Sequence, residues 1–340
     1  MLNPLDTHNF RQMILESPFQ FEKGFALAKD IQVPGTFTTL AVSGMGGSAL
    51  PIDILRILLA DVSVRHNTVM PGLYQNRSYG LPEVGIPVDT LHILCSYSGN
   101  TEETLESLEV AKSKNLPCVA LSAGGELERR AKEAGIPHIL LPIPSEGFQP
   151  RMGTGFFIGV LIQILINQEM IPDVRAEILA DAEQVSIELS AIEDAGKVLA
   201  AKLEGKTPVI YAREALRGLA MVWKIKFNEN AKTPAFYNAF PELNHNEMVG
   251  FTLPQAKFFV IMLKDGNDHP RNQKRFELTA KLLREQGLEV EILDMLGESV
   301  FNRVLMSIAL GDFTSYYLAL AYGQDPTPVD MVEKFKKLLV

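Results

Sequence analysis

Cysteine is scarce in this 340-residue sequence and positive charge is in deficit. The two cysteines, Cys95 and Cys118, each lie inside an apolar run. They are expected to be small buried hydrophobes in a reducing compartment, not a disulfide pair. Lys and Arg number 32 against 41 Asp and Glu, a formal net charge of −9. A nucleic-acid partner needs a basic stripe to neutralise phosphates, so that class is excluded as a main partner. One small phosphorylated ligand is not excluded, because local donors suffice for it. The N-terminus, running from Met1 to Asp6, has no basic segment followed by an apolar one, so no signal peptide is expected. The apolar run 156–162 breaks at Gln163 and is too short to span a bilayer. No cluster of His, Cys and Asp has metal-ligand spacing, so no metal or other cofactor is expected. These absences point to a soluble, cytoplasmic protein that binds no membrane.

What is present is a chain 46% hydrophobic and long enough for about two domains. The stretch 91–105 organises the reading. Ile93-Leu94-Cys95 reads as a buried strand, and Ser96, Ser98, Gly99, Asn100 and Thr101 as a turn. Glu102 and Glu103 follow, acids where a first helical turn favours them. A strand, a hydroxyl-rich turn and a helix N-terminus in that order form an anion site. The first helical N–H groups are unpaired and the helix dipole favours negative charge there. Ser and Thr hydroxyls add donors. No Lys or Arg lies in the turn, so dipoles would hold the phosphate.

Around this stretch, strands are predicted over residues 38–44, 62–67, 90–95, 117–121 and 138–141. Helices are predicted over 9–28, 49–59, 102–113, 126–134 and 153–167. Alternation of this kind means a parallel sheet covered on both faces. Residues 173–204 read as one or two long helices linking two halves. The second half repeats the plan, with strands over 207–212, 257–263 and 288–293. Its helices fall over 214–227, 272–286, 304–322 and 328–339. Its turns at 213–218 and 264–268 lack the hydroxyl-rich character, which implies a single phosphate site in the first half.

A second loop, Gly44-Met45-Gly46-Gly47-Ser48-Ala49, follows the first strand and opens a helix. It fits the dinucleotide pattern G-x-G-x-x-A. That pattern also wants an acid at the end of the next strand, and His66-Asn67 supplies none. The better account has Gly46 and Gly47 letting backbone approach a ligand, with Ser48 as a donor. Ligands of open α/β sheets bind at the carboxyl ends of strands, where the two loops would converge.

Gly44–Ser48 followed by Ser96–Thr104 resembles the sugar isomerase (SIS) domain. More narrowly, the whole chain resembles the bifunctional phosphoglucose/phosphomannose isomerases. The resemblance continues through Gln149-Pro150-Arg151, Asn228–Lys232, Asn244–Glu247 and Asp325–Pro328. It implies an α/β fold of two SIS-type domains, each a parallel sheet flanked by helices. The expected division is 1–170 for the first domain, 171–205 for a helical linker and 206–340 for the second. It also implies a homodimer acting on a hexose 6-phosphate without a metal.

The same resemblance assigns roles by residue. Glu229 would be the base that moves a proton between C2 and C1; position alone makes it a solvated glutamate at a helix end. His245 would open the sugar ring, reaching the partner subunit's site. Arg151 would stabilise the enediolate, and its reading from sequence alone is equally a surface arginine. A lysine on the last helix, Lys334 after the Thr327-Pro328 turn, would lie near the ring oxygen, with Lys336 and Lys337 as close alternatives. Gly46, Gly47, Ser48, Ser96, Ser98 and Thr101 would bind the phosphate, and Thr327 the sugar. Two other readings stand beside this one: a phosphosugar sensor without turnover, and an amino-sugar-phosphate transferase or deaminase.

Overall fold

The structure is a computed structural model that describes residues 3–82 and 85–339. It falls into two compact units, Glu16–Gln184 and Met1–Leu15 with Val185–Val340. The helix α1 (Phe10–Glu16) gives way to a 3-10 turn at Ser17–Phe19 and then to α2 (Gln20–Ala28). One continuous helix over 9–28 was expected. Pro18 breaks it, because proline lacks the N–H that a continuing helix needs.

The unit Glu16–Gln184 carries β1 (Thr39–Ser43), α3 (Leu50–Arg65), β2 (Gly72–Asn76) and β3 (Thr90–Cys95). After these come α4 (Glu102–Ser113), β4 (Cys118–Ser122), α5 (Gly125–Glu133), β5 (His138–Leu140) and α6 (Thr154–Asn167). The sheet is parallel in the order β2-β1-β3-β4-β5. Its central strands β1, β3 and β4 are buried along their whole length, as a sheet covered on both faces requires. Leu94 and Ala120 pack against Leu108 and Ala111 of α4 and Leu127 of α5. Both cysteines are free and buried. Burial pushes the Cys118 thiol up to about 11 and the Cys95 thiol further still.

The strand expected over 62–67 is instead the last turns of α3. Leu55, Leu58, Leu59 and Val62 are buried at helical spacing, while Val64 is 81% exposed. The true second strand is the edge strand β2, whose register sets Asn76 beside Ser43. It too ends without an acid, so the argument against a dinucleotide site stands on the corrected strand.

Residues 173–204 form chiefly one helix, α7 (Arg175–Leu203), which contributes residues to both units. Beyond it lie β6 (Thr207–Arg213), α8 (Arg217–Glu229), β7 (Phe236–Phe240), the short α9 (Glu247–Gly250) and β8 (Phe258–Lys264). The chain continues through α10 (Pro270–Glu285), β9 (Glu289–Asp294), α11 (Val300–Ala321) and α12 (Asp330–Leu339). This sheet is also parallel, ordered β7-β6-β8-β9. Its core holds Tyr211, Phe240, Met262, Phe276 and Leu283. Each side chain of Phe size buried there contributes roughly 1.5–3 kcal/mol. By length and composition α11 could cross a bilayer, but 67% of its apolar window is buried within the protein. It serves as a core helix, with Trp223 of α8 laid against Gly311. In both sheets a central strand pair, β1 with β3 and β6 with β8, sends its following loops out side by side at the carboxyl edge.

Candidate active site

The loops after β1 and β3 meet as the sequence suggested. The Tyr97 amide donates to Ser48 Oγ at 3.0 Å, which stitches the glycine loop to the serine turn. The Ser48 hydroxyl thus accepts from protein and keeps its own proton to give. Within the turn, Ser96 Oγ lies 2.8 Å from Thr101 Oγ1, and the Asn100 amide donates to Ser98 Oγ at 3.3 Å. Ser96 is buried whereas Ser98 is exposed. Thr101 is the residue before the first turn of α4, so the turn delivers its hydroxyls to the unpaired N–H groups of a helix start. Glu102 does not fill that position, since Tyr79 donates to its carboxylate at 3.2 Å.

The turn is braced from behind. Gly99 has φ of +72°, and a Cβ there would sit 1.8 Å from the Gly124 carbonyl oxygen. Only glycine fits both the backbone angle and that approach. The Asn100 side-chain Oδ1 accepts from the Glu126 amide at 3.0 Å, which ties the turn to α5.

Arg151 joins this cluster from a 3-10 turn, Pro150–Met152, just before α6. A Cβ on Gly47 would lie 2.6 Å from the Arg151 backbone nitrogen, so the glycine loop and the arginine turn touch backbone to backbone. The arginine is only 1% exposed, and its Nη1 donates to Gln149 Oε1 at 3.2 Å. A surface arginine is thereby ruled out. One unit thus carries Gly46, Gly47, Ser48, Ser96, Ser98, Thr101 and Arg151, with the Arg151 backbone packed against the glycine loop. That set suits a phosphorylated ligand with developing negative charge nearby.

The other unit holds the remaining predicted residues. Glu229 is the last residue of α8 and is half-buried. Three polar ties fix α8 and the Asn230 that follows it to α11. Trp223 Nε1 donates to Ser307 Oγ at 3.1 Å, Lys226 Nζ meets Asp312 Oδ1 at 2.6 Å, and Asn230 Nδ2 donates to Ser315 Oγ at 2.9 Å. They recur along one face of the helix, and the last two flank Glu229. Just past the helix, Lys232 Nζ donates to the carbonyls of Glu229 and Pro326, which brings the Glu229 turn to Thr327. Thr327 is buried, and its amide donates to Asp325 Oδ1 at 2.8 Å. Burial works to raise the Asp325 pKa, but the Thr7 hydroxyl and the Thr327 donors outweigh it and hold the carboxyl below its ordinary value.

His245 ends a 3-10 turn, Glu242–His245, after β7 and is exposed. Its neighbours are pinned on both sides. Asn244 Nδ2 donates to Thr279 Oγ1 at 2.8 Å and its Oδ1 accepts from Arg275 at 3.1 Å. Glu247 accepts from the Tyr211 hydroxyl at 2.6 Å and from Asn238 Nδ2. Burial, and then that carboxylate, push the Tyr211 pKa up. Lys334 stands exposed on α12, and of its neighbours Lys336 is paired with Glu333 at 2.7 Å. Tyr97, Tyr211, Asn238 and Lys232 were not singled out from sequence as site residues. Each acts through a partner distant in the chain or through a turn geometry that no local pattern announces. Among the described residues, no three His, Cys, Asp or Glu converge as a metal site would require.

Two parallel α/β sheets, the first with serine and glycine loops converging at its carboxyl edge, define the class: the SIS-type fold. The comparisons agree. Residues 192–339 match the family model described as the bacterial phospho-glucose isomerase C-terminal SIS domain. The bifunctional phosphoglucose/phosphomannose isomerase of Caldicellulosiruptor bescii is 33% identical over 342 residues, covering 96% of this chain and 98% of that one. The protein of the same name from Aquifex aeolicus is 31% identical, covering 92% and 93%. In fold, tagatose-6-phosphate ketose/aldose isomerase from Escherichia coli superposes with a TM-score of 0.68 at 16% identity, covering 94% of each chain. The chain belongs to the bifunctional phosphoglucose/phosphomannose isomerase family.

Proposed function

We propose that this protein is an aldose–ketose isomerase that interconverts glucose 6-phosphate, and also mannose 6-phosphate, with fructose 6-phosphate. The observation that carries this reading is the near full-length match to relatives of that family. Ser48, Ser96, Ser98 and Thr101 hold the phosphate through hydroxyls and helix-start amides, with Gly46 and Gly47 allowing close backbone approach. His245 and Lys334 assist opening of the hexose ring, and Thr327 touches the sugar. Glu229 then takes the proton from C2, leaving a cis-enediolate, and returns it to C1 while the hydroxyl proton passes from O2 to O1. Arg151 stabilises the negative charge that develops on the enediolate oxygens, a service that burial strengthens. The two aldoses differ only at C2, and rotation about C2–C3 presents either epimer's proton to the same glutamate.

The reading extends to the assembly. His245 lies on an exposed turn whose neighbours are rigidly held, which supports its serving the site of a second subunit in a homodimer. The substrate and reaction place the enzyme in carbohydrate metabolism, at the glycolysis and gluconeogenesis step that shares these compounds, in the cytoplasm.

The test is a coupled assay supplied with fructose 6-phosphate. Formation of glucose 6-phosphate and mannose 6-phosphate, with no added amine, is the expected result. Binding without turnover would make the protein a phosphosugar sensor. Turnover only with an amine donor would make it an amino-sugar-phosphate transferase.

A further inference from the structure

Lys232 occupies a backbone conformation that lysine seldom takes. Its φ is +55°, in the left-handed region where glycine is at home. That angle turns the side chain back over the end of α8. There Nζ donates to the Glu229 carbonyl at 2.5 Å, the Asn230 carbonyl at 3.3 Å and the Pro326 carbonyl at 3.2 Å. The first two oxygens belong to the carbonyls that every helix leaves unpaired at its C-terminus. The third belongs to the turn that carries Thr327. A single ammonium therefore holds two separate segments, 229–230 and 326–327, at one point. It also lies at the negative end of the α8 dipole, where a cation is favoured. Glycine would relieve the backbone but could not bridge the segments.

We propose that Lys232 is a positioning residue for the proton transfer: its ammonium sets Glu229 relative to the Thr327 turn. This rests on Glu229 being the base. Lys232 touches no reacting atom in this account. Its effect is on the aim of the carboxylate, and small misplacements of a reacting group are costly in rate. Phosphate binding lies with other residues, so KM is largely spared.

The test compares Lys232→Met, Lys232→Gly, Lys232→Arg and Glu229→Gln in the whole enzyme. The measurements are kcat, KM, thermal midpoint and the primary isotope effect with C2-deuterated glucose 6-phosphate. Lys232→Met is expected to lower kcat by about 10- to 100-fold with KM nearly unchanged, and to enlarge the isotope effect as proton transfer becomes limiting. Lys232→Gly loses as much despite its relieved backbone, and Lys232→Arg recovers part of the rate by keeping charge and donors. A Lys232→Met enzyme with a lower thermal midpoint but wild-type kcat and isotope effect overturns the proposal. If Glu229→Gln is inactive in that same comparison, the assignment of the base survives alone. Full turnover by Glu229→Gln removes both.

Discussion

Arg11 and Glu193 show how a single pair carries stability that depends on pH. Arg11 donates to the carboxylate through Nε at 2.7 Å and Nη2 at 2.6 Å, and Tyr317 donates as well. The Arg11 hydrogen bonds, against some desolvation, hold the Glu193 carboxyl below its usual range. A carboxylate with a depressed folded-state pKa stabilises fully above its unfolded pKa and loses that contribution as pH falls through the folded one. Wild type should therefore resist urea better than Glu193→Gln at pH 7, with the gap closing below about pH 4. Urea midpoints across that range check this; a gap constant with pH contradicts it. Single residues also mark the limits of reading sequence. Glu229, His245 and Arg151 are proposed as site residues because their short polar motifs resemble those of a family. The burial of Arg151 was not legible, since Gln149-Pro150-Arg151 looks like any exposed loop until Gly47 closes over it.

At the scale of elements, the contact between the Gly46–Ser48 loop and the Pro150–Met152 turn leaves no room for a side chain. A methyl at Gly47 would meet Arg151 N at 2.6 Å and Pro150 C at 2.9 Å, backbone atoms that cannot swing aside. Gly47→Ala should cost about 1–3 kcal/mol through overpacking and lower kcat by about 10- to 100-fold by moving Arg151. Thermal melts and steady-state kinetics measure both, and unchanged values would dissociate the glycine from the arginine. Elements also show where pattern reading failed. The segment 62–67 alternates valine with polar residues like a strand, yet Val62 completes the buried stripe of α3. The strand β7 carries no local strand signature: it is five residues at a sheet edge, bounded by Pro234 and Pro241. Central strands are plain because burial on both faces makes them continuously apolar; of the edge strands, β5 and β9 are read from sequence while β2 and β7 are not.

For the whole molecule, two parallel sheets and their flanking helices were legible from the alternation of elements, because each buried strand and each amphipathic helix declares its own period. What the period could not declare was the pairing of distant polar groups, such as Tyr211 with Glu247 or Lys232 with Pro326, which folding alone brings together. The account assigns every step to side chains of the protein, so prolonged EDTA treatment should leave turnover intact. Loss restored by a divalent cation would require a different mechanism. The central claim is that one glutamate serves both epimers. The most direct measurement is the coupled assay on glucose 6-phosphate and mannose 6-phosphate with wild type and Glu229→Gln side by side. The account predicts that kcat for both substrates falls together by about 10²- to 10⁴-fold in the variant, while phosphosugar binding persists. Retention of either activity at the wild-type level would contradict it.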